Sequence, residues 1–116
     1  MAADPNCIFC KIAQGHIPAD KLYEDDDVLA FRDIHPKAPL HMLIIPKMHI
    51  ESLQQADASH QIVLGKMLVL AARLASENGS PDGFKTVINT GRIGGQEVYH
   101  LHVHVLGGPT PVGMRL

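Results

Sequence analysis

The segment Val98-Tyr99-His100-Leu101-His102-Val103-His104-Val105-Leu106 alternates histidine with apolar or aromatic residues. Successive side chains of an extended strand point to opposite faces, so the segment predicts one face that carries three imidazoles and one that is apolar. The apolar face consists of Tyr99, Leu101, Val103 and Val105. Successive histidines are expected about 6 to 7 Å apart, from the rise per residue. A one-residue slip would exchange the two faces, so the pattern fixes the register of a strand over residues 98–106.

Three interpretations of these histidines are open. They could lie exposed on a solvated sheet face, or two of them could form a His-x-His metal pair, which needs a third ligand and an open coordination position. They could also act as a nucleophile and as acid–base groups. His100 and His104 are expected about 13 Å apart by strand rise, which is too far for both to bind one ion. Nucleophilic or acid–base roles therefore fit these histidines better than a shared metal.

The rest of the chain predicts short strands around one long helix. Residues 59–78 predict that helix, with Asp57 or Ser59 capping its start and Gly79 at its end. Its apolar stripe, expected to pack in the core, is Leu64, Met67, Leu68, Ala71 and Ala75. Other strands are predicted at residues 22–24, 28–31, 41–45 and 84–89, and a short N-terminal helix at 8–12. We therefore predict an α+β fold, one domain over residues 1–116, with about five mainly antiparallel strands.

Composition narrows the classes of protein. A chain of 116 residues that is 46% hydrophobic and 19% charged fits one soluble domain, and its net charge of -2 argues against a general nucleic-acid binder. No stretch approaches the roughly 18 apolar residues that span a bilayer, so we expect no membrane partner. The N-terminus lacks a basic region followed by an apolar one, which predicts a cytoplasmic protein. In that reducing compartment the two cysteines are expected to be thiols or metal ligands.

Several blocks of the chain resemble one known family. Residues 94–108, from Gly94-Gly95-Gln96-Glu97 through the histidine segment to Gly107-Gly108, resemble the signature of the histidine triad (HIT) family. They are most similar to its Hint branch of bacterial-type purine nucleoside phosphoramidases. Further matching blocks are residues 8–12, 31–34, 38–41, 44–47 and Asn89. The resemblance covers residues 7–108 and leaves 109–116 as a C-terminal tail without the aromatic residues of some relatives.

The resemblance implies a reaction and a set of catalytic residues. Relatives hydrolyse purine nucleoside phosphoramidates, such as adenosine 5′-monophosphoramidate, to the nucleoside monophosphate, and require no cofactor for catalysis. His102 would be the nucleophile that forms a nucleotidyl-histidine, with its Nδ1–H donated to the backbone carbonyl of His100. His104 and His41 would be the proton donors that assist the departing amine.

The resemblance also implies how a purine nucleotide binds. Asp33 would bind the ribose hydroxyls. Asn89, Gly95 and the main chain at Glu97 and Val98 would surround the phosphate, although the Hint branch often has a Ser where Glu97 stands. The apolar purine slot would consist of Ile8, Phe9, Ile12, Ile17, Phe31, Ile34 and Leu43.

The two cysteines admit more than one interpretation. Cys7 and Cys10 could be a redox pair or two unrelated buried thiols. Some members of the wider family hold a structural zinc through such a pair, and the resemblance implies Cys7, Cys10, His49 and His100 as the ligands here. Relatives also form homodimers, for which Met67, Leu70 or Leu74 would supply an interface unless they belong to the core.

Two other functions stay open from the sequence. One is hydrolysis or nucleotidyl transfer on dinucleoside polyphosphates, although Gly107-Gly108 after the triad is similar to the Hint branch. The other is a purine-nucleotide-binding interaction module with vestigial catalysis, against which the complete triad argues.

Overall fold

A computed structural model describes residues 4–113 of the protein. Two segments lie outside the described part: residues 1–3, which were used above to argue against secretion, and residues 114–116 of the predicted tail.

Five strands form one antiparallel sheet in the order β1-β2-β3-β5-β4. The strands are β1 Lys21–Glu24, β2 Val28–Arg32, β3 Leu40–Pro46, β4 Lys85–Val87 and β5 Val103–Gly107. The helices are α1 Ile8–Ala13 and α2 Gln61–Glu77, with two short 3₁₀ turns, Leu53–Gln55 and Ala58–His60, before α2. The predicted α+β fold is confirmed.

The two faces of the sheet are covered by different helices. Alternate residues of β2 and β3 pack against α2, including Val28, Ala30 and Met42. The residues between them, including Leu29 and Phe31, pack against α1. Because every residue of β3 is buried, its Leu-Ile-Ile run contributes to both layers. No helix in residues 4–113 is long and apolar enough to cross a bilayer.

The long helix begins later than predicted. Asp57 caps the 3₁₀ turn Ala58–His60 through a capping box with His60, and α2 starts at Gln61. Gly79, with a φ of 100°, follows the end of the helix, as expected for a residue that leaves the helical conformation.

The predicted apolar stripe of α2 was wrong at Leu68, which is 49% exposed. The buried residues of α2 are Met67, Leu70, Ala71, Leu74 and Ala75. A helical step of about 100° turns Leu68 away from Met67, whereas positions three, four, seven and eight residues after Met67 return to its face. Met67, Leu70 and Leu74 therefore belong to the core.

The fifth strand is shorter than predicted. It begins at Val103, and residues 98–102 approach it as irregular chain. The ladder between β3 and β5 ends at the pair Ile44 and Val103, close to Pro46, which has no N–H to donate. Tyr99, predicted on the apolar face, is 46% exposed, whereas Leu101, Val103 and Val105 are buried as expected. The fourth strand is likewise limited to Lys85–Val87 within the predicted 84–89.

Candidate active site

A cavity of about 770 Å³ opens on the α1 side of the sheet. Its floor is formed by side chains that alternate along β3 and β5, namely His41, Leu43, His104 and Leu106. Residues of α1 and β2 form one wall, and the loop that precedes the histidine segment forms another. A volume of this size is within the range of small-molecule sites.

His102 lies at this cavity with one ring nitrogen unengaged. Its Nδ1 is 2.7 Å from the carbonyl oxygen of His100, and because a carbonyl only accepts, Nδ1 carries the hydrogen. Nε2 therefore holds a lone pair, and no described residue hydrogen-bonds to it. The rings of Phe9 and His102 meet at nearly a right angle, with a centroid distance of 5.2 Å. Burial lowers the pKa of His102 below its usual value, so the imidazole is neutral and nucleophilic at pH 7.

His100 occupies a different environment from the other two triad histidines. All three lie on the α1 side of the sheet, but His100 is fully buried and does not line the cavity. Its Nε2–H donates to the carbonyl oxygen of Pro46 at 2.7 Å, and its Nδ1 lies 3.3 Å from Sγ of Cys7. Burial lowers the pKa of His100 to about 4. The expectation of three imidazoles on one common open surface thus holds for His102 and His104 only.

His41 and His104 form a hydrogen-bonded pair beside His102. Nε2 of His41 lies 3.0 Å from Nδ1 of His104, and the rings of His104 and His102 are 5.0 Å apart between centroids. Nδ1 of His41 accepts the backbone N–H of Lys37 at 3.0 Å. A carboxylate oxygen of Asp33 lies 3.5 Å from Nε2 of His41. Burial lowers the pKa of His104 to about 4 and lowers that of His41, although the Asp33 carboxylate opposes both shifts.

The residues predicted to surround a phosphate also line the cavity: Asn89, Gly95, Glu97 and Val98. The amide of Asn89 donates to the carbonyl oxygen of Gly94 at 2.8 Å, which ties β4 to this loop. Gly95 has a φ of 74°, a conformation that side chains disfavour. The carboxylate of Glu97 favours the protonated form of His102, against the effect of burial.

Sequence reasoning missed the residue that holds this loop. Gln96 is buried, and its amide donates to the carbonyl oxygens of Glu51 at 2.7 Å and Val98 at 3.0 Å. Its side-chain oxygen accepts the N–H of Gly91 at 2.9 Å. The sequence shows only a glutamine directly after Gly94 and Gly95, which does not indicate that its side chain is buried.

The predicted apolar slot residues all line the cavity: Ile8, Phe9, Ile12, Ile17, Phe31, Ile34 and Leu43. Ile34, at 85% exposed, and Ile8, at 48%, form part of the rim, whereas Phe9 and Phe31 are buried and meet edge to face at 5.6 Å. Asp33 borders the same cavity, with one carboxylate oxygen accepting the N–H of His35 at 2.8 Å. Lining residues that were not predicted as site residues include Lys37, Lys85, Val87 and Leu106.

A second cluster lies under the N-terminus of α1. The ligand atoms of Cys7, Cys10, His49 and His100 all lie within 4.8 Å of one another. Nδ1 of His49 is 3.3 Å from Sγ of Cys10, and Nδ1 of His100 is 3.5 Å from it. Tetrahedral zinc bonds of about 2.0 to 2.3 Å require ligand atoms about 3.5 Å apart, so the four residues could hold zinc as a closed structural site.

The hydrogen bond of His100 supports the same conclusion. A metal-binding histidine normally donates its second ring nitrogen to a carbonyl or carboxylate, as Nε2 of His100 does to Pro46. The lone pair on Nδ1 is then directed at the two thiols. Burial raises the pKa of the Cys10 thiol, a shift that a bound cation would reverse.

Known proteins match both the sequence and the fold. A family model described as the HIT domain matches residues 14–110. Protein HitA of Neisseria gonorrhoeae is 56% identical over 104 residues, which are 90% of this chain and 97% of that protein. The purine nucleoside phosphoramidase of Escherichia coli (strain K12) is 49% identical over 110 residues, 94% of this chain and 92% of that protein. A histidine triad protein from Clostridium difficile superimposes with a TM-score of 0.91 at 43% identity, covering 99% of this chain and 100% of that one. The chain belongs to the HIT domain family.

Proposed function

We propose that this protein hydrolyses purine nucleoside phosphoramidates and releases the nucleoside monophosphate through a nucleotidyl intermediate on His102. The observation that carries the proposal is the fixed tautomer of His102, whose Nδ1–H is held by the carbonyl of His100 at 2.7 Å while Nε2 carries a lone pair at the cavity. The name of the Escherichia coli relative supports the substrate class.

The proposed binding mode uses the two chemically different ends of the cavity. A purine ring would lie against the apolar end of the cavity, which Phe9 and Phe31 line together, because apolar surface and ring edges favour a flat aromatic ligand. The Asp33 carboxylate accepts hydrogen bonds from ribose hydroxyls at the rim. The phosphate then lies at His102, beside the loop of Gly95, whose main chain an anion can approach closely.

The chemistry has two balanced steps. The lone pair of His102 Nε2 attacks phosphorus, an N–P bond forms, the phosphorus–amine bond breaks, and the amine leaves with that electron pair and one proton, which comes from the substrate nitrogen or from water. A water molecule then attacks the same phosphorus and forms a P–O bond, its proton passes to solvent, and the electrons of the broken N–P bond return to Nε2. Throughout, the carbonyl of His100 stabilises the positive charge that develops on the His102 ring. His104 and His41 lie on the neighbouring side, where an imidazole N–H can interact with the phosphoryl group.

Every group in this scheme belongs to the side chains or the main chain, so the proposal requires no cofactor for catalysis. A zinc ion on Cys7, Cys10, His49 and His100 would have a structural role, because a closed set of four protein ligands leaves no position for substrate.

The test compares His102→Ala with His16→Ala on adenosine 5′-monophosphoramidate. His16 is exposed and does not line the cavity, so its variant controls for loss of an imidazole. We expect His102→Ala to lower kcat by at least about a thousandfold with an unchanged fold, and His16→Ala to match the wild type. Mass spectrometry of wild-type protein quenched during turnover should locate a nucleotide adduct on His102. Ordinary turnover by His102→Ala would contradict the proposal.

A second substrate separates this proposal from the other functions. A diadenosine polyphosphate, assayed beside the phosphoramidate, should be the poorer substrate by kcat/KM. A preference for the polyphosphate would favour dinucleoside polyphosphate hydrolysis. Tight adenylate binding without turnover of either compound would favour a binding module.

A further inference from the structure

One main-chain hydrogen bond determines where the protons of the histidine pair lie. The backbone N–H of Lys37 points at Nδ1 of His41 with a nitrogen–nitrogen distance of 3.0 Å. An amide nitrogen always carries its hydrogen, so Nδ1 of His41 is the acceptor. The neutral His41 ring therefore carries its own hydrogen on Nε2.

The same reasoning extends to His104. Nε2 of His41 lies 3.0 Å from Nδ1 of His104 and 3.5 Å from a carboxylate oxygen of Asp33, and both are acceptors when Nε2 of His41 is the donor. Nδ1 of His104 thus accepts, and the hydrogen of the neutral His104 ring is on its Nε2. That nitrogen has no hydrogen-bond partner in residues 4–113, and His104 lines the cavity next to His102.

We infer that the backbone N–H of Lys37 is a positioning group: it fixes the tautomer of His41 and, through His41, makes His104 a neutral hydrogen-bond donor at Nε2 toward the phosphoryl group. This inference rests on the function proposed above. It changes the role expected from the sequence, in which His104 and His41 were proton donors to the departing amine.

The arrangement leaves the pair without a free basic nitrogen. A proton added to Nδ1 of His41 would face the N–H of Lys37 at 3.0 Å, and Nδ1 of His104 already accepts. Among the titratable groups around the pair, Asp33 favours protonation, whereas Lys37 and a protonated His102 oppose it. The pair thus stabilises negative charge on the phosphoryl oxygens as a neutral donor, and the proton taken by the amine comes from the substrate nitrogen or from water.

The fixed tautomer also argues against a metal ion on this side of the cavity. Asp33, His41 and His104 have ligand atoms within 4.8 Å of one another. A metal needs the lone pair of Nε2 in His41, but that nitrogen carries the hydrogen as long as Nδ1 accepts from Lys37. Binding would require an imidazolate or a broken main-chain hydrogen bond.

The direct test is the protonation state of each ring nitrogen. Nitrogen NMR of protein labelled with ¹⁵N-histidine, recorded through long-range couplings to the ring protons, distinguishes the two neutral tautomers and the imidazolium. At pH 7, with and without bound AMP, we expect His41 and His104 to carry hydrogen on Nε2 and His102 to carry it on Nδ1. A hydrogen on Nδ1 of His41, or an imidazolium at His104, would overturn the inference.

Two variants at one position test the amide itself. Lys37→Pro removes the N–H, whereas Lys37→Ala removes the ammonium group and keeps the N–H, so the alanine variant is the reference. In Lys37→Pro we expect Nδ1–H to become populated in His41 and kcat to fall about three- to tenfold relative to Lys37→Ala, the factor for one neutral hydrogen bond, with a smaller change in KM. Equal kcat and equal tautomers in the two variants would refute the inference.

The outcomes separate this inference from the proposed function. If the wild type does not turn over phosphoramidates, the proposed function fails, while the tautomers of the AMP complex still decide the role of the Lys37 amide. If Lys37→Pro does not fold, as its amide NMR spectrum would show, the ring-nitrogen measurement on the wild type decides alone.

Discussion

Removal of zinc is expected to lower the melting temperature of the protein substantially. The four candidate ligands come from distant parts of the chain. Cys7 caps the start of α1 and Cys10 lies within that helix, whereas His49 follows β3 and His100 precedes β5. A metal bound to all four would tie α1 to the sheet. The perturbation is chelation of the purified protein, with Cys10→Ala as the variant that lacks one ligand.

The expected change in Tm follows from the fit of the cluster to zinc and from the free zinc concentration relative to its Kd. Three pairs of its donor atoms lie 3.3 to 3.5 Å apart, close to the edge of a zinc tetrahedron, and all pairs lie within 4.8 Å, so binding needs little rearrangement of the fold. A ligand at a free concentration of 100 times its Kd stabilises the folded state by about 2.7 kcal/mol. At about 4 °C per kcal/mol for a domain of this size, chelation should lower Tm by about 10 °C.

The assay is calorimetry with and without chelator, combined with elemental analysis. We expect about one zinc per chain in the wild type, and loss of both the zinc and the chelator-dependent shift in Cys10→Ala. His16→Ala, with an exposed imidazole outside the cluster, should keep both. Wild-type protein that holds no zinc after supplementation, with the same Tm in chelator, would refute the reasoning.

Three further outcomes can be measured. A group whose pKa is lower in the folded than in the unfolded state binds fewer protons when the protein is folded. The pKa of His104 is about 4 in the folded protein against an ordinary 6.5, so the free energy of unfolding should fall by at most about 3 kcal/mol as pH falls from about 6.5 to about 4. Urea unfolding of the wild type and of His104→Asn should show a shallower dependence on pH in the variant. Phe9→Leu should raise the KM for the adenosine substrate about two- to tenfold, because an aromatic ring is lost from the proposed purine slot. An unchanged KM would remove Phe9 from the slot. Gly94→Ala should destabilise the protein by about 1 to 3 kcal/mol and lower kcat, since the new methyl group would overlap the main chain of Thr90. Gly65→Ala is the control, because no atom lies within 4 Å of its new methyl group, and it should not destabilise the protein. The measurement is the midpoint of denaturant unfolding for each variant.

The strands could be predicted from the sequence because their alternation is local. Leu101, Val103 and Val105 are buried as the two-residue period requires. The start of β5 could not be predicted, because it depends on where the partner strand stops offering hydrogen bonds. Pro46 ends β3, and the N–H of Leu101 turns instead to the carbonyl of Ile50 at 2.7 Å.

The candidate site was predictable in its residues but not in its arrangement. Periodicity placed the triad histidines on one side of the sheet, yet what covers that side comes from elsewhere in the chain. Cys7 is 93 residues away from His100, with which it makes a contact of 3.3 Å. Only a known family connects such positions before the fold is available. The loop that contains Gly95 shows the same limit, since the side chain of Gln96 bonds to Glu51, 45 residues earlier in the chain.

The three alternating histidines differ chemically because each meets a different main-chain group. His100 donates from Nε2 to the carbonyl of Pro46, which leaves the lone pair of Nδ1 facing the thiols, and His102 donates from Nδ1 to the carbonyl of His100, which leaves the lone pair of Nε2 at the cavity. His104 receives its partner's hydrogen on Nδ1 and keeps its own on Nε2, as a consequence of the amide of Lys37. The residue type gives each position the same ring. The proposed roles, zinc ligand for His100, nucleophile for His102 and donor for His104, differ in which ring nitrogen holds the hydrogen, and for that reason the division of roles depends on residues 37 and 46 as much as on the triad itself.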